Sequence, residues 1–107
     1  MKSNVEITRI NIEKAYSKVS LYSYSDDINS IYISNLFVKE SKRKNNLGNN
    51  MLCYALILAK LLNVKTVYIR VNKTSWMYEW YRRNGFIDSI SQYRKGKSNM
   101  IWMEKTL

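Results

Sequence analysis

Residues 38–52, which read VKESKRKNNLGNNML, join an apolar strand end, a basic turn rich in Asn and Gly, and the apolar start of a helix. The first N–H groups of a helix have no partner within the helix, and they lie at its positive end. Together with a basic turn they can face an anion, so this order of elements predicts a phosphate cradle. The alternative is an ordinary connection between a strand and a helix.

Hydrophobic periodicity predicts the elements around this connection. Strands are predicted over about residues 4–13, 18–26, 30–38, 65–71, 86–93 and 99–105, and helices over 49–63 and 76–83. The helix over 49–63 is predicted to turn one apolar face to the core, formed by Met51, Leu52, Ala55, Leu56, Ala59 and Leu62. Gly85 is placed to form a left-handed helix cap, and the last two strands are expected to form a hairpin with its tip at 94–98. Because segment 30–71 reads strand–helix–strand, its two strands are expected to be parallel neighbours joined by a right-handed crossover. The predicted fold class is α/β (α+β), a twisted mixed and mostly antiparallel sheet with element order β-β-β-α-β-α-β-β.

Composition narrows the chemistry that such a chain can perform. With 107 residues it is expected to form a single domain over 1–107. Histidine is absent and Cys53 is the only cysteine, which excludes Ser-His and Cys-His nucleophile pairs and the common zinc sites. No metal is therefore expected. A single cysteine, no signal peptide and no apolar run of membrane-spanning length favour a cytoplasmic location without membrane contact.

The net charge of +10, from 18 Lys and Arg against 8 Asp and Glu, favours an anionic partner. Such a partner could be a phosphorylated cofactor, an acidic surface or a nucleic acid. No known nucleic-acid-binding motif is present, which disfavours the last of these.

Two motifs resemble the signature of the GNAT family of acetyl-CoA-dependent N-acetyltransferases. Val38 is followed five positions later by Arg43, eight later by Asn46 and ten later by Gly48, in the register of that family's R-x-x-G-x-G/A turn. Residues 81–86, YRRNGF, match its Y-x-x-x-G-F helix ending. The order and spacing of both motifs carry the resemblance, since each motif alone is common.

The resemblance implies the GNAT acyl-CoA N-acyltransferase fold in a minimal, N-terminally short form. It also implies acetyl-CoA as cosubstrate. The residues expected to bind it are Leu36, Phe37, Val38, Arg43, Lys44, Asn45, Asn46, Leu47, Gly48 and Asn49. In the family the strand end pairs with the pantetheine arm and the turn amides face the pyrophosphate. Two positions depart from the family pattern, because Asn46 replaces the first turn glycine and Glu40 replaces a common proline.

Tyr81 is the candidate catalytic residue, since the resemblance implies that it protonates the leaving thiolate. The alternative is a tyrosine that only packs in the core. No general base can be named, because the strand over 30–38 contains no carboxylate, although Ser34 or Asn35 could position a water. Trp76, Tyr78 and Trp80 could form a wall of the acceptor site or pack against the sheet.

The expected reaction is direct acetyl transfer to a primary amine of a small molecule or a protein. A short N-terminal part leaves the acceptor site open, so a second subunit of a homodimer could complete it. Two alternatives remain: a catalytically inactive acetyl-CoA-binding relative, and a basic nucleic-acid-binding module.

Overall fold

The computed structural model describes residues 6–14, 16–24, 27–39, 47–89 and 99–107. In these ranges the helices and strands follow one another in the order that the sequence pattern predicts. The strands are β1 (Glu6–Lys14), β2 (Ser17–Tyr24), β3 (Asp27–Val38), β4 (Thr66–Asn72), β5 (Ile87–Asp88) and β6 (Met100–Thr106), and the helices are α1 (Leu47–Leu61) and α2 (Trp76–Arg83). Neither helix is long and apolar enough to cross a bilayer, a finding that covers the described ranges only.

The strands form one mixed sheet of six in the order β1-β2-β3-β4-β6-β5. All neighbouring strands are antiparallel except β3 and β4, which are parallel and joined through α1. This topology confirms the predicted fold class and the predicted parallel pairing of the two strands on either side of α1.

The parallel pair separates before either strand ends. Residues 30–33 of β3 pair with 66–69 of β4, and the pairing stops at Ile33 and Ile69. On the other side of β3, Ser34 pairs with Ser20 and Phe37 with Lys18, so one residue of β2 faces two of β3. Such a β-bulge bends its strand and turns it out of the regular ladder. The bulge therefore lies where β3 leaves β4.

Both helices pack on one face of the sheet. The buried face of α1 carries Met51, Leu52, Ala55 and Ala59, all at most 1% exposed. These side chains meet alternate strand residues in one core cluster, which includes Val19, Leu21, Ile31, Ile33, Val67, Ile69, Val71 and Met103. The predicted apolar face of α1 is confirmed at these four positions.

Helix and strand boundaries differ from the prediction at several points. Helix α1 begins at Leu47 rather than at 49 and ends at Leu61 rather than at 63. Two residues after its end, Asn63 adopts a left-handed φ of 62°. Leu62, predicted to face the core, is therefore 46% exposed beyond the helix end. Gly85 has a φ of 93°, as predicted for a cap. The predicted hairpin tip at 94–98 lies outside the described residues.

Candidate functional site

A cleft opens between β3 and β4 where their pairing stops, with a volume of about 300 Å³. We call it the strand cleft. Both strand ends form its walls, and α2 closes it on the helix side through Met77 and Tyr81. The divergence of two parallel strands thus creates a cavity that reaches into the sheet.

A second cavity, the helix pocket, lies between the end of β3 and the two helices and measures about 260 Å³. Its lining residues are Leu36, Phe37, Val38, Gly48, Asn49, Trp76, Met77 and Trp80. Leu36 and Met77 line both cavities, so the two lie side by side, and we call the pair together the path. The path leads from the N-terminus of α1 to Tyr81.

The structure brings together half of the residues predicted to bind the cosubstrate. Leu36, Phe37, Val38, Gly48 and Asn49 all line the helix pocket. Leu47 is the first residue of α1. The remaining predicted residues, Arg43, Lys44, Asn45 and Asn46, lie outside the described residues, as does Glu40.

The N-terminus of α1 presents an electropositive end to the helix pocket. The amides of residues 47–49 have no carbonyl partner within the helix, and its first turn contains no acidic residue. A Cβ placed on Gly48 would lie 3.7 Å from Cγ2 of Val38 and 3.6 Å from the ring of Trp80. Glycine therefore keeps the backbone of this first turn accessible from the pocket.

Trp80 connects the two helices at this pocket. Its indole Nε1–H donates a hydrogen bond to Oδ1 of Asn49 over 3.1 Å. Trp76 and Trp80 thus line the helix pocket together with predicted cosubstrate residues, a place that the sequence analysis did not name for them. Tyr78 lines neither cavity: its hydroxyl donates to Oδ1 of Asp88 over 2.8 Å, and this hydrogen bond raises the pKa of the phenol.

Met77 is a site residue that the sequence reasoning missed. It lies four positions before Tyr81 on α2, so both side chains occupy the same helix face. That spacing could have identified Met77 once Tyr81 was a candidate.

Tyr81 lies at the inner end of the path and is 4% exposed. Its ring packs edge-on against Phe86, with centroids 5.4 Å apart, and it also lines the strand cleft. Burial raises the pKa of its phenol. The hydroxyl therefore stays protonated at neutral pH, as a proton donor must. Tyr81 is both a core residue and a cleft residue, so packing and catalysis are not exclusive roles for it.

Ser34 is the other polar group of interest in the strand cleft. Its Oγ is buried and has no hydrogen-bond partner in the described part of the protein. Buried hydroxyls are nearly always satisfied, so an orphaned one in a cavity suggests a ligand or water. Among the described lining residues of the two cavities there is no carboxylate.

Comparison with known proteins connects this arrangement to acetyl transfer. A family model described as an acetyltransferase (GNAT) domain matches residues 7–107. A relative from Arabidopsis thaliana, GCN5-related N-acetyltransferase 6, chloroplastic, is 41% identical over 56 residues. The aligned part is 51% of this chain and 19% of the relative.

Solved structures share the fold at low sequence identity. An acetyltransferase from Streptococcus agalactiae has a TM-score of 0.72 at 16% identity, over 89% of this chain and 62% of that one. The PaiA N-acetyltransferase from Thermoplasma acidophilum, in complex with coenzyme A, has a TM-score of 0.71 at 18% identity, over 86% of this chain and 54% of that one. The chain thus spans less than two thirds of the length of these proteins.

Proposed function

Since this chain belongs to the GNAT acetyltransferase family, we propose that it transfers an acetyl group from acetyl-CoA to a primary amine. The observation that carries the proposal is the pair of adjacent cavities that extends from the N-terminus of α1 to Tyr81. One end of this path suits an anion and the other end holds a protonated phenol.

The residues of the path fit acetyl-CoA. The unpartnered amides of the first turn of α1 suit its pyrophosphate. The strand end 36–38, which has left its parallel neighbour, offers backbone groups and apolar side chains to the pantetheine arm. When bound, acetyl-CoA supplies a thioester whose carbonyl carbon is open to attack by an amine.

Tyr81 is proposed as the general acid. A neutral amine nitrogen attacks the carbonyl carbon, a C–N bond forms, and the C–S bond breaks. The sulfur leaves as a thiolate and takes the phenolic proton of Tyr81, which is then replaced from solvent. Proton donation in the transition state is commonly worth about 10²–10⁴-fold in rate.

Ser34 is proposed to help remove the proton that the attacking amine loses. The attacking amine loses a proton as the amide forms, and no described carboxylate lines the cleft to accept it. A water held by the unpartnered Oγ of Ser34 can carry that proton to solvent. The acceptor must then arrive with its amine already neutral.

The test combines binding and turnover. Acetyl-CoA should raise the melting temperature of the protein, and release of free CoA thiol should depend on an added amine. Stabilisation by acetyl-CoA without turnover on any amine would favour an inactive cosubstrate-binding relative. Stabilisation by an oligonucleotide but not by acetyl-CoA would refute the proposal.

A further inference from the structure

The strand cleft opens toward the sheet face that lacks α1 and α2. Side chains alternate along a strand, so Ile33 and Ile69 point to the helices and the residues that follow them point away. Ser34 pairs with Ser20 on that opposite face, and Arg70 pairs with Trp102. Because Met77 and Tyr81 close the helix side, the described residues leave this opposite face as the approach for an acceptor.

Ser34 and Arg70 occupy equivalent positions across the opening. Each directly follows the last paired residue of its strand, Ile33 and Ile69 respectively. Adjacent strands lie about 4.8 Å apart where they pair, so these two residues flank the mouth of the cleft. An acceptor amine that reaches the cleft therefore passes the guanidinium of Arg70.

The approach is electropositive. Arg70 is exposed, and no acidic side chain of the described ranges forms an ion pair with it, including Glu104, which faces Tyr68 on the same side of the sheet. Farther along the same face, a groove beside Phe37 carries Lys18 and Lys39, and its single described carboxylate is Glu13. A simple alkylammonium ion would be repelled by this surface.

We propose that the acceptor is a primary amine that also carries an anionic group, which Arg70 binds at the mouth of the strand cleft. This inference rests on the proposed acetyl transfer and adds its substrate class. A guanidinium binds a carboxylate or a phosphate through paired N–H donors, so both anions fit the same site. Binding of the anion leaves the amine to enter the cleft toward Ser34 Oγ. The bonds formed and broken are those of the proposed acetyl transfer.

Three probes of similar size test the proposal: β-alanine with a carboxylate, 2-aminoethyl phosphate with a phosphate, and n-propylamine with neither. At equal concentration of the neutral amine form, at least one anionic probe should exceed n-propylamine in kcat/KM by about tenfold or more, as expected for a charge-assisted hydrogen bond. The two anionic probes distinguish a carboxylate acceptor from a phosphate acceptor.

Variants assign the preference to Arg70. Arg70→Gln should abolish the preference for anionic probes. Arg70→Lys should keep part of it, because lysine supplies the positive charge but not the paired N–H donors of the guanidinium. Arg83→Gln removes the same charge from an exposed position of α2 that lines neither cavity, and it should keep the preference. A preference that survives Arg70→Gln would overturn the proposal.

Binding separates this inference from the proposed function. If acetyl-CoA fails to stabilise the protein, both are refuted together. If acetyl-CoA binds and all three amines react alike, or a lysine-rich peptide is the better acceptor, only the substrate class is refuted. If acetyl-CoA binds without turnover, the CoA-loaded protein should still bind an anionic probe at least tenfold more tightly than n-propylamine, and equal affinities would refute the class.

Discussion

Replacing Tyr81 by Phe separates its proposed catalytic role from its structural one. The ring is 4% exposed and packs against Phe86, and the substitution keeps that ring while removing only the hydroxyl. The free energy of unfolding should therefore change by no more than about 1 kcal/mol. Substitution by Ala would empty a core position at a cost of about 3–5 kcal/mol and would confuse the two roles.

Turnover should respond much more strongly than stability. Loss of a general acid predicts a fall in kcat of about 10²–10⁴-fold, equivalent to roughly 2.7–5.4 kcal/mol in the barrier. The assay is release of CoA thiol under saturating acetyl-CoA and amine, with the melting temperature measured in parallel.

Tyr78→Phe is the matched control for this substitution. It removes a phenol from the same helix whose hydroxyl bonds to Asp88 outside both cavities, so kcat should stay unchanged. A fall in kcat below threefold for Tyr81→Phe, or equal losses in both variants, would refute the acid role. A higher KM for acetyl-CoA at constant kcat would assign the Tyr81 hydroxyl to binding instead.

Three further predictions concern the helix pocket and the protons. Gly48→Ala should stabilise α1 by about 0.5–1 kcal/mol in thermal denaturation, since its Cβ meets only ordinary contacts, while reducing the melting shift produced by acetyl-CoA. Trp80→Phe should lower the free energy of unfolding by about 0.5–1.5 kcal/mol, because it removes the hydrogen bond to Asn49. In a double-mutant cycle, Asn49→Ala should lower the stability of the Trp80→Phe variant little further. With an alkylamine acceptor, kcat/KM should rise about tenfold per pH unit from pH 7 to 9. At pH values lower than about 10, kcat/KM should show no decline, because burial raises the pKa of the Tyr81 phenol and keeps it protonated. A decline at a lower pH would indicate that another group is the acid.

The local sequence predicts the parts of the site that depend on local structure. After Val38 the hydrophobic period changes from that of a strand to that of a helix, which predicts β3 and α1 on either side of the helix pocket. Gly85 predicts the end of α2. The apolar spacing also suggested a buried Leu62, but the left-handed backbone at Asn63 ends the helix first. Where a helix stops depends on one residue's conformation, which periodicity does not report.

The other features of the site depend on contacts between residues that are distant in the sequence. The bulge in β3 arises from its register against β2, where Ser20 meets Ser34 and Lys18 meets Phe37, and no local pattern in β3 reveals it. The same holds for Trp80, whose place beside Asn49 follows from how α2 crosses the start of α1. Sequence reasoning therefore proposed residues for the site but could not say which of them meet.

The charges of the strand cleft bear on how an enzyme without histidine could deprotonate its acceptor. An alkylamine of pKa about 10.4 is almost entirely protonated at pH 7, and the cleft has no described carboxylate to act as base. A nearby like charge lowers the pKa of an ammonium group, so Arg70 favours the neutral, reactive form of an amine that carries no anion of its own. Each unit of lowering gives about tenfold more of that form. A carboxylate that served as general base would hold the amine in its charged form and would repel the leaving thiolate. A positive approach, an uncharged Ser34 and a protonated Tyr81 avoid both effects, so catalysis in this cleft is compatible with the absence of a carboxylate among its described lining residues.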